Sequence, residues 1–94
     1  MLEGIKFEAH AFARLIQRSC QYGLSWREAR ERIIETIRNG KESKRKHLSK
    51  KREHKTYCKY FADNLSFYVI CKEKKFSEYK KYWVKTVIIE TGRE

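Results

Sequence analysis

Three side chains near the N-terminus have types and spacing suited to chemistry on a phosphate. His10, Arg14 and Arg18 are spaced four residues apart, so on a helix they line one stripe. Three potential cations in a row repel one another unless an anion bridges them. A guanidinium offers planar bidentate donors to phosphate, and histidine exchanges protons near neutral pH. The stripe therefore indicates phosphodiester binding or cleavage, and the alternative is an ordinary solvated face.

The charge of the chain also favours a polyanionic partner. Lys and Arg number 23 against 12 Asp and Glu, a net charge of +11 in 94 residues. A thermophile surface rich in Lys and Glu is the alternative, but such surfaces usually add both signs. Residues 41–55 concentrate the charge, with eight Lys or Arg against two Glu. A solvated loop without a partner is the alternative for this basic segment.

Part of the basic segment and two tyrosines are predicted to contact nucleic acid. The cations expected on phosphates are Lys44, Arg45, Lys46, Lys50, Lys51 and Arg52. The rings expected to stack on bases are those of Tyr57 and Tyr68.

Two helices are predicted before the basic segment. Helical spacing indicates a first helix over residues 8–22, with a buried face formed by Ala9, Phe12, Ala13, Ile16 and Cys20. Gly23 is placed to end it. Ser25 and Glu28 form a capping box that opens a second helix over residues 25–39. Its inward face is expected to contain Ala29, Ile33, Thr36 and Ile37.

From Thr56 onward the pattern is typical of β-structure. Strands are predicted over residues 56–61, 65–72 and 82–91, with a turn at Asp63–Asn64 and a basic loop over residues 72–81. The run Val87–Ile89 suits a central strand, and Ile5–Phe7 a short edge strand. The chain is therefore expected to form a single α+β domain over residues 1–94, with two N-terminal helices packed on a three- to four-stranded antiparallel sheet.

The His–Arg stripe belongs to a longer pattern. His10-Ala11-Phe12-Ala13-Arg14, followed by Arg18, Gly23-Leu24-Ser25 and Glu28-Ala29, resembles the H-A-x-x-R … G-(I/V/L)-S-x-x-E-A pattern of small domains grouped with the BrnT and RelE-like toxins. The C-terminal residues 87–94 are similar to their closing strand and its arginine. The resemblance covers about residues 5–40 and 82–94. The chain departs from it in its long basic segment and in Gln21-Tyr22, where BrnT-type domains have Lys-His.

The resemblance implies a RelE/barnase-like fold and the function of a cytoplasmic toxin in a toxin–antitoxin pair. The implied activity is metal-independent RNA cleavage without a cofactor, silenced by an acidic antitoxin protein. Carried over by position, His10, Arg14 and Arg18 match the motif, and Arg93 matches the terminal arginine. His10 would move the proton while the arginines hold the phosphorane oxygens. Lys85, on the last predicted strand, is a further candidate cation.

Two other functions remain open from the sequence. One is a non-catalytic nucleic-acid-binding module, and the other is a protein-interaction or homodimer domain that uses Trp26, Tyr79, Tyr82 and Trp83. No metal site is predicted, because the cluster of His47, His54 and Cys58 matches no zinc spacing. Cys20 and Cys71 are expected in the core. The odd cysteine count, without a signal peptide or a membrane span, predicts a cytoplasmic protein.

Overall fold

A computed structural model describes residues 2–43 and 54–93, which form two helices and one five-stranded sheet. In chain order the elements are β1 (Leu2–Phe7), α1 (Ala9–Gln21), α2 (Trp26–Asn39), β2 (Lys41–Glu42), β3 (His54–Tyr60), β4 (Leu65–Lys75) and β5 (Tyr79–Thr91). The predicted α+β class is confirmed. No helix among the described residues is long and apolar enough to cross a membrane.

The helix boundaries follow the local signals in the sequence. Gly23 has a φ of +71°, a left-handed conformation that glycine adopts without strain, and it follows the end of α1. The Ser25 hydroxyl accepts a hydrogen bond of 3.1 Å from the Glu28 amide, which confirms the capping box of α2. Gly40 ends α2 against β3, where an added Cβ would lie 2.7 Å from the Cys58 carbonyl oxygen.

The buried face of α1 differs from the prediction. The residues that face the core are Ala11, Leu15 and Ser19, whereas Phe12 is 36% exposed, Ile16 is 45% exposed and Cys20 is exposed. The amide of Glu8 donates to the Val84 carbonyl at 3.2 Å, and α1 begins at the next residue. We infer that this attachment sets the rotation of the helix. The predicted inward face of α2 is confirmed, since all four of its residues are buried.

The sheet is larger than predicted and mixed in direction. Its order is β1-β5-β4-β3-β2, and β3, β4 and β5 form the predicted antiparallel meander. Strand β1 pairs with β5 in parallel, from Leu2 opposite Tyr79 to Phe7 opposite Val84. The prediction of an antiparallel sheet with three to four strands is therefore wrong. The chain joins β1 to β5 through both helices and three other strands, a long-range connection that local sequence patterns do not show.

The predicted basic loop over residues 72–81 is mostly strand. β4 continues to Lys75, β5 begins at Tyr79, and the Phe76 amide donates to the Tyr79 carbonyl at 2.7 Å. The register shifts after Ile70, which pairs with Thr86, because Cys71 pairs with Val84. Lys85 is therefore the extra residue of a β-bulge, a device that bends the strand and redirects side chains.

The two faces of the sheet have different chemistry. The face beneath the helices carries the core residues Leu65, Phe67, Val69, Cys71, Tyr82, Val84, Val87 and Ile89. Cys71 is fully buried, which confirms its prediction as a core residue, and this burial raises the pKa of its thiol to about 12. We call the opposite side the outer face. Strand alternation and register place Lys72 and Lys74 of β4, Lys81 and Trp83 of β5, and Lys6 of β1 on it.

Candidate nucleic-acid interface

A groove of about 320 Å³ opens on the outer face. It is lined by Glu8, Lys72, Lys74, Trp83 and Lys85. Lys6 and Lys81 lie beside it, because Lys6 pairs in register with Trp83 and Lys81 with Lys74. Three strands thus bring five lysines around one indole ring. We call this arrangement the lysine–tryptophan groove.

Aromatic rings along the groove contact the lysine ammonium groups. The Lys81 Nζ lies 5.2 Å from the centre of the Trp83 ring, and the Lys74 Nζ lies 5.4 Å from that of Phe76. The Phe76 ring stacks on Tyr79 with centres 4.7 Å apart and planes 15° apart. Such cation–π contacts hold the charges over the rings. Flat rings and ammonium groups side by side suit a polymer that alternates bases with phosphates.

Glu8 supplies the one carboxylate among the described residues that line the groove. Its Oε1 accepts a hydrogen bond of 2.7 Å from Lys85 Nζ. This bond is the main reason that the pKa of Glu8 lies below its ordinary value. Burial opposes the shift, and the charges of Lys85, His10 and His54 add to it. Glu8 is therefore ionised at neutral pH, and both histidines lie within electrostatic reach of it.

The predicted stripe of His10, Arg14 and Arg18 lies on one flank of α1. His10 and Arg14 are exposed, but the Arg18 Nη1 donates a hydrogen bond to the Val87 carbonyl. Strand β1 covers the edge of β5 only as far as Val84. Beyond it, Arg18 and Tyr22 satisfy carbonyls of β5, with the Tyr22 hydroxyl 3.0 Å from the Ile89 oxygen. Burial lowers the pKa of Arg18, and the charge of Arg14 lowers it further.

The other two predicted catalytic residues lie apart from the stripe. Lys85 sits in the bulge and is bound to Glu8. Arg93 lies beyond the far end of β5, with its guanidinium 4.7 Å from the centre of the Tyr60 ring. It lines a separate cavity of about 580 Å³ together with Lys41 and Ser66. The structure therefore divides the five predicted catalytic residues among three places.

Of the residues predicted to contact nucleic acid, the structure describes only the two tyrosines, Tyr57 and Tyr68. Lys44, Arg45, Lys46, Lys50, Lys51 and Arg52 lie outside the described residues. Tyr68 is 1% exposed, so its ring offers no face to a base. Tyr57 lies on the helix side of the sheet and donates to Glu73 Oε1 at 2.8 Å. Burial and this hydrogen bond raise the pKa of Tyr57.

The lysine–tryptophan groove was not predicted from the sequence. The signal was present, because basic and aromatic residues recur at alternate positions over residues 72–83 and would share one face of a strand. Because a loop was predicted over residues 72–81, this alternation was not interpreted as one face of a strand. No local sequence pattern predicts that Glu8 and Lys6 belong to the groove, because their position depends on the parallel pairing of β1 with β5.

A second exposed surface lies on the helices and is apolar. The Phe12 ring lies 6.4 Å from that of Phe7 and 5.8 Å from that of Trp26, centre to centre. Trp26 is 43% exposed. Of the other aromatic residues predicted for a protein interface, Tyr82 is only 5% exposed and belongs to the core. Among the described residues, no group of three or more His, Cys, Asp or Glu side chains could hold a metal ion.

Comparison with known proteins leaves the resemblance to RelE-like toxins as a prediction. No protein-family model matches the chain, and no curated protein and no solved structure matches it significantly.

Proposed function

We propose that this protein binds single-stranded RNA in the lysine–tryptophan groove, as an RNA-binding homologue of the RelE-like toxins. The observation that carries the proposal is the convergence of five lysines and Trp83, from β1, β4 and β5, on one face of the sheet. A RelE/barnase-like fold is part of the proposal. Both helices pack on the other face. The groove lysines and Trp83 are exposed or half-buried, so their side chains are accessible.

Single-stranded nucleic acid fits this surface better than a duplex does. Unpaired bases can turn outward and stack on the Trp83 indole or the Phe76–Tyr79 pair, while the lysines hold the backbone. Duplex bases are already stacked on one another. Stacking and charge act on any single strand, and the preference for RNA comes from the resemblance to RelE-like toxins.

The structure supports RNA binding in the groove better than it supports RNA cleavage at the stripe of His10, Arg14 and Arg18. The Arg18 guanidinium already donates to a backbone carbonyl, which competes with phosphate. Arg93 is at the opposite end of β5 from the groove and contacts Tyr60. A site that needs both arginines around one phosphate would require the sheet edge to open.

The salt dependence of RNA binding tests this proposal. Five lysine contacts to a single strand correspond to a slope of log K against log salt of about −3.5, at roughly −0.7 for each phosphate. Replacing Lys74 and Lys81 by Gln should bring the slope to about −2. Replacing Arg27 and Arg30 on α2 by Gln removes the same charge elsewhere and should leave the slope unchanged. Equal effects of the two double variants, or a wild-type slope near zero, would contradict the proposal.

A further inference from the structure

The cavity of about 580 Å³ beyond the far end of β5 has the size of a small-ligand site, since such sites span about 300–1,000 Å³. Strand register places part of its wall on the outer side of the sheet. Lys41 pairs with Cys58, and Tyr60, two residues further along β3, pairs with Ser66. The cavity shares no lining residue with the lysine–tryptophan groove. Any ligand that it holds is therefore bound separately from the groove.

A network of contacts holds the Arg93 guanidinium at this cavity. Gly92 has a φ of +90°, a left-handed conformation that favours glycine, so the chain turns just before Arg93. The Gly92 amide donates to the Asn64 carbonyl at 2.8 Å, and the Gly92 carbonyl accepts a hydrogen bond from the Ser66 hydroxyl. The Tyr60 hydroxyl donates to Asn64 Oδ1 at 2.7 Å, and the guanidinium lies over the Tyr60 ring. The ring contact positions the guanidinium and leaves its N–H groups open to a ligand.

Two cations at the cavity have no ionic partner. Within the part of the chain that the structure describes, neither the Lys41 ammonium nor the Arg93 guanidinium forms an ion pair with a carboxylate. Lys59 also lines the cavity, but its ammonium is already paired on the helix side of the sheet. Glu42 is the one carboxylate of the described lining, and it pairs in register with Tyr57, on the helix side. A bound anion would relieve the repulsion between the two unpaired cations.

We propose that this cavity binds a phosphate monoester of nucleotide size, and that Arg93 and Lys41 hold its phosphate. A monoester carries a charge of about −1.5 to −2 at neutral pH, which matches two cations, whereas a phosphodiester carries a single negative charge. The guanidinium offers bidentate donors in one plane, and the ammonium adds a compact charge. This site does not depend on the proposed RNA binding in the groove.

The remaining lining favours a nucleoside as the organic part of the ligand. A phosphate group fills only a small part of the cavity. Asn39 lines the same space, and its Nδ2 donates one hydrogen bond, to Glu35 Oε1 at 2.9 Å. The Asn39 Oδ1 and the second N–H of its amide are left for a ligand. A side-chain amide of this kind pairs with the donor and acceptor edge of a nucleobase.

Nuclear magnetic resonance of isotope-labelled protein tests the site. The protein would be titrated with adenosine monophosphate, and separately with adenosine, in buffer without phosphate. The monophosphate should shift the amide signals of Gly40 and Gly92, and adenosine should bind at least about tenfold more weakly. Arg93→Gln and Lys41→Gln should each weaken binding of the monophosphate by about tenfold or more, because each removes a charged contact to phosphate. Arg30→Gln on α2 removes the same charge elsewhere and should bind as the wild type does.

The same spectra show whether each variant folds, because amides remote from the substitution keep their wild-type shifts. A second titration uses 2′-O-methyl RNA, which lacks a reactive 2′-hydroxyl, with and without a 5′-phosphate. Shifts at Gly40 and Gly92 with adenosine monophosphate assign the site to a free nucleotide. The same shifts with the phosphorylated strand alone assign it to the end of an RNA strand. Both results support a monoester site.

Three results would overturn the proposal. The first is the absence of shifts at Gly40 and Gly92 with either phosphorylated probe up to about 10 mM. The second is equal binding of adenosine and its monophosphate. The third is an affinity that Arg93→Gln and Lys41→Gln both leave within about twofold of wild type. None of these results bears on RNA binding in the groove, which the Lys74 and Lys81 variants test by themselves.

Discussion

Arg14 and Arg18 stand one helical turn apart on α1 but have different surroundings. Arg14 is exposed, whereas Arg18 is partly buried and donates to the Val87 carbonyl on the open edge of β5. An unpaired strand edge presents backbone groups that need partners, and Arg18 together with Tyr22 provides them. Residue type and spacing alone made both arginines candidates for phosphate. Only the strand pairing distinguishes the structural side chain from the exposed one.

Replacing these arginines should therefore have unequal effects on stability. Arg18→Ala should lower the free energy of unfolding by about 2 kcal/mol, because a carbonyl loses a charged donor. Arg14→Ala should change it by less than about 0.5 kcal/mol, as is usual for an exposed side chain. Urea denaturation measures both. Equal stability, together with equal loss of RNA affinity in the two variants, would restore the stripe as a phosphate site.

Glu73 links stability to pH. Its carboxylate is only 12% exposed, lies 3.0 Å from Lys55 Nζ and accepts a hydrogen bond of 2.8 Å from the Tyr57 hydroxyl. Burial alone would raise the pKa of Glu73, but the hydrogen bonds from Lys55 and Tyr57 and the charges of Lys55 and Lys80 lower it overall. A carboxyl whose pKa is lower in the folded state stabilises the protein when ionised. That contribution is complete above the ordinary pKa and is lost as the pH falls through the folded value.

Acid denaturation should show this contribution. The wild-type free energy of unfolding should fall as the pH drops below the ordinary glutamate value of 4.5. Glu73→Gln should be less stable at neutral pH and should lose less stability over the same acidic range. Urea denaturation at a series of pH values provides the measurement. A variant whose stability falls as steeply as the wild type would show that Glu73 makes no such contribution.

At the scale of elements, the two helices differ in how far sequence determines their packing. The apolar residues of α2 form one stripe, so the period predicted its buried face correctly. α1 carries two stripes, one through Ala11 and Leu15 and one through Phe12 and Ile16. Periodicity cannot choose between them. The attachment of Glu8 to Val84 turns the first stripe inward and leaves the second exposed.

The neighbouring residues Leu15 and Ile16 of α1 should respond unequally to truncation. Leu15→Ala should destabilise the protein by about 3 kcal/mol, because Leu15 is fully buried and its loss leaves a cavity. Ile16→Ala should cost less than about 0.5 kcal/mol. Thermal or urea denaturation of the two variants tests the rotation of the helix. A larger loss at Ile16 would mean that the stripe of Phe12 and Ile16 is the buried one, as the helical spacing predicted.

The full length of β4 and β5 was also not predicted, because it depends on contacts between side chains of different strands. Clustered lysines are typical of loops, so the sequence predicted a loop over residues 72–81. The strands persist because Glu73, on the helix side, pairs with Lys55 of β3 and Lys80 of β5. Cross-strand pairs of opposite charge stabilise a sheet. Their partners are too distant in sequence for local patterns to show them.

At the scale of the molecule, distant segments converge at the groove. Lys6 and Glu8 come from the start of the chain, and the remaining groove residues come from its last third. The net charge of +11 predicted an anionic partner, but it could not predict where that partner binds. The proposed location depends on the parallel pairing of β1 with β5 and on the bulge at Lys85, two features that appear only in the assembled sheet.

The two tryptophans allow the most direct test of where RNA binds. The chain contains only Trp26 and Trp83, which lie on the helices and in the groove. Trp26→Phe leaves Trp83 as the sole indole, and Trp83→Phe leaves Trp26. Each variant would be titrated with 2′-O-methyl RNA while its fluorescence and the anisotropy of labelled RNA are followed. We expect RNA to quench Trp83 in parallel with binding, to leave Trp26 unchanged, and to bind more weakly to Trp83→Phe. Quenching of Trp26 alone, or binding that leaves Trp83 emission unchanged, would contradict the assignment of the groove.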